Sequence, residues 1–193
     1  MDKVNFIKME DGTAEEYLFL DKLEDEYKKD LPNKIIASLE QLGDSLSGYQ
    51  ISRLDHVLQA ATRAHQAGES EQWIIAALLH DIGDELAPYS HSEMAAAILR
   101  PFVNEEVYWV VKHHGIFQMY YYAHHSGGNR NARERYKDHP FYDSAVRFCH
   151  EYDQNCFDPE YESKSLRFFK PILERVLDKP LAGDAEHQAR YGS

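Results

Sequence analysis

The segment ALLHDIGDE, residues 77–85, runs from apolar helix formers straight into His80 and Asp81. An imidazole and a carboxylate at the end of a buried helix are costly to desolvate unless a charge compensates them. A divalent metal is the usual compensation. The chain carries further ligand-capable groups in comparable places: His56 beside Asp55, His91 at the start of one periodic stretch, His114 at the end of another, and Asp153 in the late segment HEYDQN. There are 11 histidines, and their scatter excludes an affinity tag; eight fall between residues 56 and 125. Each group alone has an ordinary reading. His91 could start a helix, His114 could complement a C-terminal dipole, and Asp153 could be a solvated charge. Their repeated placement at helix ends, where helices converge, points instead to a metal. Imidazole with carboxylate suits iron or manganese better than structural zinc, which prefers cysteine in a closed tetrahedral shell.

The elements that must position these groups read as helices almost throughout. Residues 14–31 carry Tyr17, Leu20, Leu23 and Tyr27 at helical spacing before Pro32. Residues 32–45 have Pro in a first turn and Gly43 near the stop. Residues 49–68 place Ile51, Leu54, Leu58 and Ala61 on one face and end at Gly68, and residues 70–84 follow with Glu71 in a first turn. Ser90 or Ser92 caps the stretch that stops near Pro101, and Asn104 caps the next, which is expected to end at Gly115. Residues 123–139 are polar and Gly-rich, a loop or short helix over a site. Residues 139–156 are helical again, and residues 162–180 form a last amphipathic helix with Pro171 inside it. No repeat, linker or strand alternation interrupts this pattern. The expectation is one all-α domain over residues 1–193, a helical bundle with its site between helix ends, a core over about 35–178 and a flexible tail after 180.

Composition narrows the partners. With 33 acidic against 21 basic residues the formal charge is −12, a surface that repels a phosphate backbone, so no nucleic acid is expected. No stretch approaches the roughly 20 apolar residues that span a bilayer. The first residues lack the basic flank and apolar run of a signal peptide. Cys149 and Cys156 then read as reduced thiols of a cytoplasmic protein. Nothing points to a protein partner.

The order His56, His80-Asp81, Asp153 resembles the HD-domain superfamily, named for its His-Asp dyad. His91 and His114 resemble the additional ligands of its dinuclear branch, in which the dyad aspartate bridges two metals. RLDHVLQAATRAHQAGESEQWIIAALLHDIGD is similar to the corresponding stretch of the inositol-oxidising members, and HSEMAAAILR and VYWVVKHHG to segments of the aminophosphonate-oxidising ones. Both groups are mixed-valent diiron oxygenases, and the resemblance covers about residues 50–155. It implies one iron held by His56, His80, Asp81 and Asp153 and another by Asp81, His91 and His114, as an Fe(II)/Fe(III) pair with O2 as co-substrate. His113 competes with His114, which keeps the family's spacing from Val107. Asp153 is preferred to Asp143 and Asp158 because EYDQ matches the family's aromatic-Asp element.

Two reactions follow from such a ligand set. One is metal-dependent hydrolysis of a small phosphoester or nucleotide, the commoner activity of the superfamily. The other is oxygenation, in which a substrate hydroxyl and a neighbouring oxygen chelate one iron and dioxygen removes the hydrogen on the hydroxyl-bearing carbon. The whole chain resembles the oxygenase branch that splits (R)-1-hydroxy-2-(trimethylammonio)ethylphosphonate into glycine betaine and phosphate, which implies an organophosphonate substrate and C–P cleavage. Asp84 stands where the inositol branch has lysine and the aminophosphonate branch histidine, and its carboxylate could attract a cationic group. The run Phe117, Tyr120, Tyr121 and Tyr122 reads either as core or as a cation–π surface for a quaternary ammonium, with Tyr120 the expected contact. Arg130, Asn131 and Arg133, with His113 or His125, could take the anionic oxygens. Tyr49 or Tyr27 could close an open iron position.

Overall fold

A computed structural model describes residues 2–178 and 180–181, and the expected flexible tail lies almost wholly outside the described residues. Among these, eight α-helices and no strand are found: α1 Ala14–Lys29, α2 Leu31–Gln41, α3 Arg53–Gln66, α4 Glu71–Leu79, α5 His91–Leu99, α6 Glu105–Tyr122, α7 Tyr142–Tyr152 and α8 Leu166–Leu177. The all-α expectation holds.

The starts of the helices follow local chemistry. Thr13 and Glu16 form a reciprocal capping box on α1, and Ser52 and Asp55 do the same on α3. The Asn104 side chain accepts from the Val107 N–H at 2.9 Å to begin α6. Helix α4 is the centre of the bundle. Every residue from Trp73 to Leu79 is buried, as expected for a helix apolar on all sides. Each fully buried Ile or Leu there contributes roughly 1.5–3 kcal/mol relative to exposure, which offsets part of the cost of carrying His80 and Asp81 into the interior. Helix α3 packs on α4, α5 on α6, α6 on α7, and α8 closes the other side against α2 and α4. Pro171 sits within α8 without ending it.

One expected boundary is corrected. Gly115 does not stop α6, which continues for seven residues to Tyr122. Phe117 is fully buried and holds the extra turns to the core. Gly115 serves a close approach instead: a Cβ there would lie 3.0 Å from Ser92 Oγ and 3.8 Å from His91 Nε2, so its absence lets α5 seat against α6. Residues 123–139 contain two short 3-10 turns, Ala123–Ser126 and Ala132–Tyr136. Asp153, expected on the late helix, is the residue that caps α7 at its C-terminus and leaves helical geometry.

Candidate metal centre

The structure brings His56, His80, Asp81, His91, His114 and Asp153 together, from five different helices or their ends. Their ligand atoms form three overlapping groups, each within 4.8 Å: His56, His80 and Asp81; His80, His114 and Asp153; Asp81, His91 and His114. All but His91 are buried.

Each imidazole is oriented from behind. Nδ1 of His56 lies 3.0 Å from the Cys156 carbonyl, Nδ1 of His80 2.8 Å from that of Ala77, and Nδ1 of His114 2.7 Å from that of Val111. A carbonyl only accepts, so these Nδ1 atoms carry the proton and donate. In the neutral rings Nε2 is therefore a bare lone pair. His91 is backed by a carboxylate, its Nδ1 lying 3.5 Å from Asp84 Oδ1.

The four Nε2 atoms converge in pairs, 3.1 Å apart for His56 and His80 and 3.3 Å apart for His91 and His114. Two lone pairs at that distance repel unless a cation lies between or beside them. Asp81 addresses both pairs. Its Oδ2 is 3.5 Å from Nε2 of His56 and of His80, and its Oδ1 is 3.2 Å from Nε2 of His114 and 3.5 Å from that of His91. One carboxylate with an oxygen turned to each histidine pair has the form of a bridge between two metals. Asp153 joins the first pair, with Oδ1 3.4 Å from His56 Nε2, and accepts a 2.7 Å hydrogen bond from Gln118 Nε2. Its Oδ2 is buried and has no hydrogen-bond partner, a cost that a metal ligand avoids. The donor set and this orphaned oxygen fit two divalent or trivalent metals.

Charge balance without metal is uneasy. Burial works to lower His56 and His114, but Asp153 and Asp81 beside them outweigh it and leave both raised above 6.5. Burial drives His80 down to about 4. Burial raises Asp81, yet the surrounding imidazoles, His80 first, bring it well below the usual carboxylate value. Burial and then Asp81 push Asp84 upward against the pull of Arg53 and His91.

The cluster opens into a cavity of about 350 Å³ lined also by Tyr49, Arg53, Asp84, Gly115, Gln118, Tyr121, Tyr122, Gln154 and Phe157. Tyr49 and Phe157 stack at 5.1 Å, and Phe157 stacks on His56 at 4.5 Å. Of the two tyrosines considered for closing an iron position, Tyr49 lines the cavity and Tyr27 does not.

Several expected substrate contacts lie elsewhere. Asp84 borders the cavity, but its carboxylate already faces Arg53 Nε at 3.2 Å and His91. His113 turns away, its Nδ1 donating to the Trp109 carbonyl at 2.7 Å and its ring against Trp109 and Tyr136. Tyr120 faces the 123–139 segment, where Arg130 and Arg133 cover its ring at 4.3 and 3.7 Å. Asn131 and His125 are exposed and do not line the cavity. The physical reason is the continuation of α6. Residues four and seven positions beyond His114 share its face, and these are Gln118 and Tyr121, whereas Tyr120 falls on another side. Arg53, Gln118 and Phe157 were not anticipated. Spacing from His114 would have found Gln118, and Arg53 lies three residues before His56 on the same helical face.

Residues 53–147 match the HD domain family. The chain is also 27% identical to a protein of Leisingera caerulea named [1-hydroxy-2-(trimethylamino)ethyl]phosphonate dioxygenase (glycine-betaine-forming), over 68% of this chain and 82% of that relative. No helix among the described residues is long and apolar enough to cross a membrane.

Proposed function

We propose, from the HD-domain match over residues 53–147 and the paired histidine cluster around one aspartate, that this chain is an O2-dependent diiron oxygenase cleaving the C–P bond of a 1-hydroxyphosphonate. The substrate proposed is (R)-1-hydroxy-2-(trimethylammonio)ethylphosphonate, as the name of the L. caerulea relative suggests. The observation that carries the dinuclear reading is the division of the Asp81 oxygens between the two histidine pairs.

His56, His80, Asp81 and Asp153 would hold one iron, and Asp81, His91 and His114 the other. Held there, a mixed-valent Fe(II)/Fe(III) pair would supply Lewis-acid binding of the C1 hydroxyl and a phosphonate oxygen and would activate dioxygen. The protein's part is positioning. Carbonyls and Asp84 fix the imidazole tautomers, and Gln118 fixes Asp153. Tyr49, Tyr121, Tyr122 and Phe157 give the cavity an aromatic wall that suits a trimethylammonium group through cation–π attraction. The cavity volume lies at the small end of the range for ligand pockets, in keeping with a substrate of this size.

The reaction balances with dioxygen as sole oxidant. The C1–P bond breaks, C1 becomes the carboxylate of glycine betaine, phosphorus leaves as phosphate, both oxygen atoms enter the products and one proton is released. A reducing cytoplasm suits the two free, buried thiols Cys149 and Cys156. The test is phosphate release from this hydroxyphosphonate with oxygen uptake followed in parallel. Equimolar oxygen consumption and phosphate formation are expected. Equal phosphate release under strict anaerobiosis would identify hydrolysis and overturn the oxygenase reading.

A further inference from the structure

We infer that Arg53 anchors the tetrahedral anionic end of the substrate and that Asp84 holds Arg53 in position for it; the substrate class rests on the proposed function. Among the described residues Arg53 is the one lysine or arginine lining the cavity. In the 123–139 segment Arg130 and Arg133 cover the Tyr120 ring, and Arg135 lies over Tyr136. Arg53 opens α3, three residues ahead of His56, so the helix that delivers a metal-facing imidazole also delivers the cation.

Its side chain is only 19% exposed. Nη1 reaches Asp81 Oδ2 at 3.5 Å, and Nε lies 3.2 Å from Asp84 Oδ2, buried and without an aligned hydrogen bond. The guanidinium carbon sits 5.2 Å from the Tyr49 ring centre. A guanidinium has five N–H donors in a fixed fork, and these contacts engage only two of its nitrogens. The remaining donors, beside the convergent Nε2 atoms, suit a dianionic phosphonate bound in two-point fashion. A purely structural tether between α3 and the turn after α4 would need Asp84 alone and would not place the cation at the Asp81 carboxylate. Asp84 acts through Arg53 and is a positioning residue.

The experiment measures binding of methylphosphonate to the iron-loaded full chain by calorimetry, with choline as a probe that lacks the phosphonate. Arg53→Gln should weaken methylphosphonate roughly ten- to hundredfold and leave choline within about twofold. Asp84→Asn should weaken methylphosphonate several-fold in the same selective way. Methylphosphonate affinity within about twofold of wild type in Arg53→Gln, at wild-type iron content, overturns the anchor. If Arg53→Gln loses iron, Arg53→Lys is read instead, since it keeps the charge beside Asp81 but loses the fork. A selective drop of at least about threefold then supports the anchor, and no drop overturns it. Selective loss in an enzyme that consumes no oxygen would leave the anchor standing and remove the oxygenase reading; an active oxygenase with unchanged binding would do the reverse.

Discussion

Gly83 lies directly against the backbone of His91: a Cβ at Gly83 would fall 2.6 Å from the His91 carbonyl oxygen and 2.8 Å from its Cα. Neither is a flexible side-chain end, so Gly83→Ala must push the start of α5 away from the turn that carries Asp81. Overpacking of this kind costs about 1–3 kcal/mol, and the movement is centred on one imidazole of the cluster. Gly83→Ala should lower the melting temperature and weaken iron binding about tenfold or more, measured by chelator competition. Wild-type iron affinity in the variant would show that His91 is not a ligand.

The Asp81 geometry makes the metal count itself a test. Asp81→Ala removes the carboxylate that faces both histidine pairs, whereas His91→Ala removes a group that faces only one. The wild-type chain should carry close to two irons. Asp81→Ala should lose both and His91→Ala should keep about one, by elemental analysis. Stoichiometric zinc with full activity would contradict the iron assignment.

The pH dependence should reverse on metal loading. In the metal-free protein His56 and His114 are held above the ordinary value of 6.5 by Asp153 and Asp81. A raised histidine stabilises the fold fully below its unfolded pKa and loses that contribution as pH climbs through the folded one. His80, at about 4 in the fold, opposes this only while its unfolded imidazole is still partly protonated, so its contribution fades as pH rises past about 6.5. The metal-free protein should therefore lose stability as pH rises above about 6.5. Over the same window iron affinity should rise, because ligands must shed protons to bind. Denaturant melts of both forms across that range check it, and parallel pH curves would refute the argument.

The helical class was legible from local pattern, and the clustering of His56, His80, Asp81, His91, His114 and Asp153 from that pattern together with the resemblance to the dinuclear HD-domain branch. Apolar periodicity marks the helices, and His-Asp at an apolar helix end is costly enough to demand a cause. The lining of the cavity was less legible, and one glycine accounts for much of that. A glycine just after two histidines reads as a helix stop, which hides Gln118 on the His114 face, yet Gly115 is there because His91 and Ser92 press against it. A close approach from an element 23 residues away leaves no trace in local propensity. Arg53 was missed for a related reason: at the first turn of a helix it reads as solvated, and only its position against Asp81 and Asp84 gives it a task. Asp84, singled out for its chemistry, faces Arg53 and His91.

The ligand-capable groups extend from His56 to Asp153 and draw on five helices, so bound iron would act as a staple closing a loop of nearly a hundred residues. Anything that binds only the folded chain deepens its stability by mass action, and closing so long a loop removes much freedom from the unfolded one. The lifetime of this protein in a cell would then follow iron supply. Starved of metal, the chain would open where α3, α4 and α7 meet and reach proteases sooner, so that scarcity would remove the enzyme itself and not merely leave it idle.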